Sequence, residues 1–186
     1  LIIEVFPLPT IAAGPDIIIC QNDSVQLLAS GGVSYSWVPN YNIDNDSVVD
    51  PFVFPYQDTT YVLEGLDTNG CPNWDTLFVS VNQVEANFSS ISVCAGDTNI
   101  FVDLSTSDGL ITSWTWNFDD MTSGAANSSV LQNPTHFYAA QGNYDVNLAI
   151  GDSNGCQSDS SIQVFLLDTP TASFVGDSVC SGLANT

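Results

Sequence analysis

Apolar and polar residues alternate with a period of two along most of this chain. The segments SVQLLA (24–29), SYSWV (34–38), TYVLEGL (60–66) and TLFVSV (76–81) do so in the first half. ITSWTWNF (111–118), NYDVNLAI (143–150) and SIQVFL (161–166) do so in the second. In an extended strand successive side chains point to opposite faces, so this period predicts strands with one face buried. Clusters of Gly, Asn, Asp and Ser separate them, as at SGG (30–32), DGL (108–110) and the NG pairs at 69–70 and 154–155, and these predict tight turns. No segment holds apolar residues at helical spacing over three turns. The expected fold class is all-β, with tandem antiparallel β-sandwiches of about six to eight strands each.

Each half carries a tryptophan on a middle strand, where a sandwich core needs a large ring. Trp37 takes this place in the first half. In the second, Trp114, Trp116 and Phe118 share one strand face while Thr115 and Asn117 take the other. Core packing is the expected role of this row, and a sugar-stacking platform is the alternative.

The chain also repeats itself. DTNGC (67–71) recurs as DSNGC (152–156), 85 residues later, each time followed by an alternating strand (75–81 and 160–166). A second element, an apolar strand running into a cysteine and small polar residues, occurs at Cys20, Cys94 and Cys180. These elements divide the chain into a closing strand of a preceding repeat (1–8), one sandwich (9–81), a second (82–167) and the opening strands of a following repeat (168–186). Leftover strands at the two ends would allow successive chains to complete one another's sandwiches and self-polymerise. Excision from a longer array is the simpler reading.

Five cysteines in an acidic chain rich in Ser, Thr, Asn and Asp point to an oxidising, extracellular compartment. Repeat position suggests disulfides Cys20–Cys71 and Cys94–Cys156, with Cys180 pairing outside the chain shown. Sequence alone leaves other connectivities open.

Charge narrows the function further. Among 186 residues there are 21 Asp and Glu, one His, and no Lys or Arg, a formal charge of −21. Such a chain repels nucleic acid and anionic membrane surfaces. It has no lysine for a Schiff base or an isopeptide staple, and no arginine to clamp phosphate. No apolar run reaches the roughly 18 residues that span a bilayer. The composition therefore argues against partners of nucleic acid and against membrane insertion.

The segments WTWNFDD (114–120), NPTHFY (133–138) and GNYDVNLAIGDSNGC (142–156) resemble the PKD domain, an immunoglobulin-like sandwich. The family pattern is roughly W-x-F-G-D-G, then P-x-H-x-Y, then G-x-Y-x-V-x-L-x-V. This chain departs at Asp119 and Met121, where the family has Gly, so a longer or differently shaped turn is expected there. The first half, through ASGGVSYSWVPN (29–40) and DTTYVLEGLDTNGC (58–71), looks like the repeats that accompany such domains. D-x-N-G-C closing each repeat is similar to large surface proteins of gliding, type IX-secreting bacteria. That resemblance implies a secreted, cell-surface protein that serves as stalk, adhesin or filament. It also implies O-glycosylation at Asp-Ser/Thr signals, here Ser24, Ser47, Thr59, Thr76 and Ser178.

Catalytic candidates are few. His136 is the only imidazole and falls in the structural P-x-H-x-Y segment, so packing or hydrogen bonding is its expected role. Asp119 and Asp120 form a carboxylate pair, but neighbours on one turn do not flank a glycosidic bond. The expectation is that the chain is no enzyme. Calcium is the one cofactor considered, with Asp119, Asp120 and Asp152 as candidate ligands and Glu85 near the boundary between repeats. A carbohydrate-binding accessory module of a secreted polysaccharide-degrading enzyme is the alternative function. Trp74, in a polar stretch, is its best glycan contact.

Overall fold

The computed structural model describes residues 4–91, 94–169, 172–173 and 176. Two sandwiches follow one another, each around its own core. The first is built from β1 (Ile17–Cys20), β2 (Val25–Gln26), β3 (Ser34–Val38), β4 (Phe52–Val53), β5 (Thr59–Leu66) and β6 (Pro72–Asn82). A four-stranded sheet in the order β1-β6-β5-β3 is joined by the short ribbon β2-β4. The period-two pattern sends Trp37, Tyr61, Leu63, Leu77 and Val79 inward from the large sheet, to meet Leu27 and Val53 from the ribbon and Ile11 and Ala13 from the preceding segment. Trp37 is fully buried and donates its indole N–H to the Val48 carbonyl at 3.0 Å. Burial, with Tyr41 nearby, pushes the Tyr61 hydroxyl up to about 12.

The expected antiparallel pairing holds except at one edge. There β1 runs parallel to β6, with Ile17 opposite Val79 and Cys20 opposite Asn82. This register sets the opening cysteine beside the last residue of the closing strand.

The second sandwich contains β7 (Val84–Glu85), β8 (Phe88–Ile91), β9 (Thr98–Asp103), β10 (Thr106–Ser107), β11 (Ile111–Asn117), a 3-10 segment (Met121–Asn127), β12 (Ser128–Ser129), β13 (Thr135–Phe137), β14 (Gly142–Asp152) and β15 (Gln157–Leu166). One sheet has the order β12-β11-β14-β15, the other β13-β9-β8, and β10 pairs with β7. Trp116 and Phe118 lie in the core with Phe88, Phe101 and Tyr138. Phe88 meets Trp116 edge-on at 4.9 Å, the geometry ring quadrupoles favour. Trp114 is half-buried and donates to Asp103 at 2.7 Å. The aromatic row is therefore core and not a platform. The turn after β11 runs through the 3-10 segment and bends at Gly124.

Of residues 1–8, expected as the closing strand of a preceding repeat, the described residues 4–8 form no strand. Pro9 is held by the side-chain amide of Asn73, at 2.8 Å from its carbonyl. Among the described residues no helix is long and apolar enough to cross a membrane.

Candidate functional site at the junction of the sandwiches

Only Gln83 separates β6 from β7, and a polar network forms around that link. It starts in the Asp152–Cys156 turn between β14 and β15. Asp152 Oδ1 accepts the N–H groups of Asn154 and Cys156, both at 2.9 Å. Gly155, at φ +86°, closes the turn with its N–H on the Asp152 carbonyl at 3.2 Å. The Asn-Gly pair is there because this backbone region is costly for a side chain.

The turn leaves Asp152 Oδ2 free to reach outside it. It accepts the Asn82 amide at 2.6 Å and the Ser107 hydroxyl at 2.7 Å. Asn82, the last residue of β6, in turn accepts the Asn154 amide at 2.6 Å. Gly109 packs behind the pair, and a Cβ on it would stand 2.8 Å from Asn154 Nδ2. Asn82 and Asp152 are both buried. Burial pushes the Asp152 carboxyl up, but the bonds from Ser107, Asn82, Cys156 and Asn154 outweigh it and hold the group below the usual carboxylate range. On the far side of the link, the N–H of Gln83 donates to Asp108 at 2.8 Å.

A disulfide closes the same contact. Cys156, at the end of the turn, is bonded to Cys20, at the end of β1. The expected pairs Cys20–Cys71 and Cys94–Cys156 are not formed, and Cys71 and Cys94 are free. The reason is the length of the closing strands. Cys20 lies beside Asn82 at one end of β6, while Cys71 precedes Pro72 at the other. Eleven residues of strand separate them, roughly 35 Å. Cys94 likewise stands near Leu167, whose carbonyl accepts the Ala95 N–H at 2.9 Å, at the far end of β15 from Cys156. Each opening cysteine thus sits at the wrong end of its own sandwich and at the right end for the next one. Cys180 lies outside the described residues.

The other candidates are dispersed. Asp120 is buried and its Oδ2 lies 3.1 Å from His136 Nε2, while Oδ1 accepts the Thr122 hydroxyl at 2.6 Å. Burial raises its carboxyl, but bonds from Thr122 and His136 prevail and lower it. His136 stacks on Phe118 at 4.4 Å and 10°, the packing role expected of it. Asp119 is exposed and accepts the Asp145 N–H at 3.1 Å. Asp152 stands seven residues along β14 from Asp145, roughly 23 Å away, so the three calcium candidates do not converge. Among the described residues no three acidic, His or Cys side chains are grouped to hold a metal. Glu85 lines a polar cleft beside the junction with Gln21, Thr106 and Asp108.

Of the expected glycosylation sites, Ser24, Ser47 and Thr76 are exposed. Thr59 is not a usable acceptor. It is buried, and its hydroxyl donates to the Gln57 carbonyl at 2.8 Å and lies 3.1 Å from that of Tyr41. Ser178 lies outside the described residues. Trp74 is 55% exposed and shares the outer face of β6 with Thr76 and Phe78.

Sequence reasoning missed Asn82, Ser107 and Gly109. Their one legible signal was the recurrence of D-x-N-G-C, which marks the turn and not what it touches.

Residues 84–166 match the PKD domain family. The match spans the second sandwich from β7 to the end of β15. The PKD1 domain of Vibrio anguillarum Epp is 20% identical over 46% of this chain and 95% of its own, with a TM-score of 0.41. The PKD1 domain of the Vibrio cholerae metalloprotease PrtV is 25% identical over 46% of this chain and 98% of its own, with a TM-score of 0.39. Both sandwiches together are similar in fold to the three N-terminal domains of the outer capsid protein Hoc of bacteriophage RB49. There the TM-score is 0.51 and the identity 8%, over 88% of this chain and 70% of the other. No curated protein matches the chain. The chain therefore contains a PKD/Ig-like repeat within an immunoglobulin-like, all-β architecture.

Proposed function

We propose that the chain is a structural spacer of an extracellular surface protein, a stalk or filament of the kind built by gliding, type IX-secreting bacteria. PKD and Ig-like domains typically serve as extracellular structural or adhesive modules, and the observation that carries the reading here is the junction. A one-residue link, a buried Asp-Asn network and a disulfide all bind two independent cores into one body. A tether that only connects domains needs none of these, since domains joined by a plain linker move relative to each other. A spacer that sets distance or bears tension needs a stiff junction. The disulfide also fits an oxidising compartment.

Small-angle scattering of the oxidised chain tests this. A single rigid shape is expected, and the Cys20→Ser, Asn82→Ala double variant should broaden the distance distribution while both sandwiches stay folded. A broad, multi-conformer profile from the oxidised wild type would sink the proposal.

Trp74 favours a second reading as a carbohydrate-binding accessory module, because an exposed indole on the same strand face as Phe78 offers a stacking surface. Silence on a broad glycan array, or binding unchanged in Trp74→Ala, would remove it.

A further inference from the structure

The two sandwiches are built on the same hydrogen bonds, and this makes the free cysteines interpretable. In the first turn, Asp67 Oδ1 accepts the N–H of Asn69 and of Cys71, each at 2.8 Å, and Gly70 donates to the Asp67 carbonyl at 3.1 Å. These are the bonds Asp152 makes to Asn154 and Cys156 and receives from Gly155. Cys71 is thus the turn cysteine of the first sandwich, as Cys156 is of the second. At the other end, Gln21 donates to the Asn82 carbonyl at 3.0 Å, and Asp23 to that of Cys20 at 3.0 Å. Ala95 donates to Leu167 at 2.9 Å, and Asp97 to Cys94 at 3.1 Å. Cys94 is therefore the opening cysteine of the second sandwich, as Cys20 is of the first.

The bond that does form joins the opening cysteine of one sandwich to the turn cysteine of the next. Cys71 and Cys94 are the unmated halves of that same device, at opposite ends of the molecule, and both are partly exposed. At the Cys71 end the second oxygen of Asp67 meets Asn69 of its own turn at 3.4 Å, where Asp152 instead reaches across to Asn82. At the Cys94 end Leu167, 60% exposed, holds the position of Asn82. It carries no side-chain amide, so the Asn82 network has no counterpart there.

We propose that Cys71 and Cys94 each close a disulfide with the complementary cysteine of a further sandwich of this same build, head to tail. Cys71 takes an opening cysteine and Cys94 takes a turn cysteine. A second copy of the chain supplies both. This rests on the spacer reading and names its partner. Each closure joins two thiols through one S–S bond. Their two electrons and two protons pass to a low-molecular-weight disulfide such as oxidised glutathione, which is released as two thiols.

The test uses the full chain carrying Cys180→Ser, held at high concentration in a glutathione redox buffer and mapped by mass spectrometry of non-reduced peptides. Cys20–Cys156 stays intact in every copy. Cys71–Cys94 links between copies should exceed Cys71–Cys71 and Cys94–Cys94 links by about tenfold or more, since a docked pair reacts at an effective concentration that random encounters lack. Cys71→Ser and Cys94→Ser should each abolish the ladder of linked species. A statistical mixture of the three links, or thiols that stay reduced, overturns the proposal. A rigid scattering profile alongside that failure would leave the spacer reading standing, whereas a flexible profile would remove the spacer reading whatever links form.

Discussion

Asp119 occupies the left-handed region, at φ +57°, where the PKD pattern has glycine. Aspartate tolerates this region better than most side chains, and here its carboxylate accepts the Asp145 N–H while its own N–H donates to Asn117 Oδ1 at 3.0 Å. Asp119→Ala keeps the conformational cost and loses the bond, so a loss of about 1–2 kcal/mol in chemical denaturation is expected. Asp119→Gly should lose less, because relief of the backbone offsets the bond. Beside Asp67 and Asp103, whose carboxyls are also lowered, Asp120 and Asp152 contribute to the acid limb. Both carboxyls are lower in the folded state than the usual unfolded value of about 3.9. A depressed carboxyl contributes its full stability above the unfolded pKa and loses it as pH falls through the folded one. Urea midpoints measured from pH 7 downward should therefore fall off below about pH 4, and Asp152→Asn should flatten that fall.

At the scale of elements, the turn between β14 and β15 acts on the first sandwich as much as on its own. The disulfide closes a separation of 136 residues, worth about 5 kcal/mol in the chain-entropy model. Most of that opposes parting of the sandwiches, since each core is complete within its own segment. Gly109 is the position at which this can be probed without touching sulfur. In Gly109→Ala the new methyl would press on the Asn154 amide, which must shift and weaken its bond to Asn82. The expected cost is about 1–2 kcal/mol, with faster reduction of Cys20–Cys156 by dithiothreitol and unchanged core tryptophan fluorescence.

Over the whole molecule, 21 acidic groups face no Lys or Arg. Among the described residues the one ion-pair geometry is His136 with Asp120. Added salt therefore screens repulsion and has almost no attraction to weaken. The melting temperature should rise by several degrees between about 10 mM and 200 mM sodium chloride, as the screening length shortens from about 30 Å to below 10 Å. A melting temperature that falls over this range would show that specific pairs, not the net field, dominate. The same charge opposes side-by-side association of copies of the chain.

The alternation of side chains was enough to place Trp37, Trp116 and Phe118 in cores and to set the all-β class, because strand period and burial are local properties. The repeat of D-x-N-G-C was enough to show two copies of one turn, whose hydrogen bonds are made within five residues. The partner of each turn was not written in this way. Which end of an eleven-residue strand a cysteine occupies depends on the register of β1 against β6 and of β14 against β15, and register is decided by the packing of whole sheets. Asn82, Ser107 and Gly109 meet Asp152 across more than forty residues of sequence. Their roles exist only once two sandwiches share a one-residue link. The sequence determined the modules, and the tertiary structure decided that the disulfide joins them instead of closing each one.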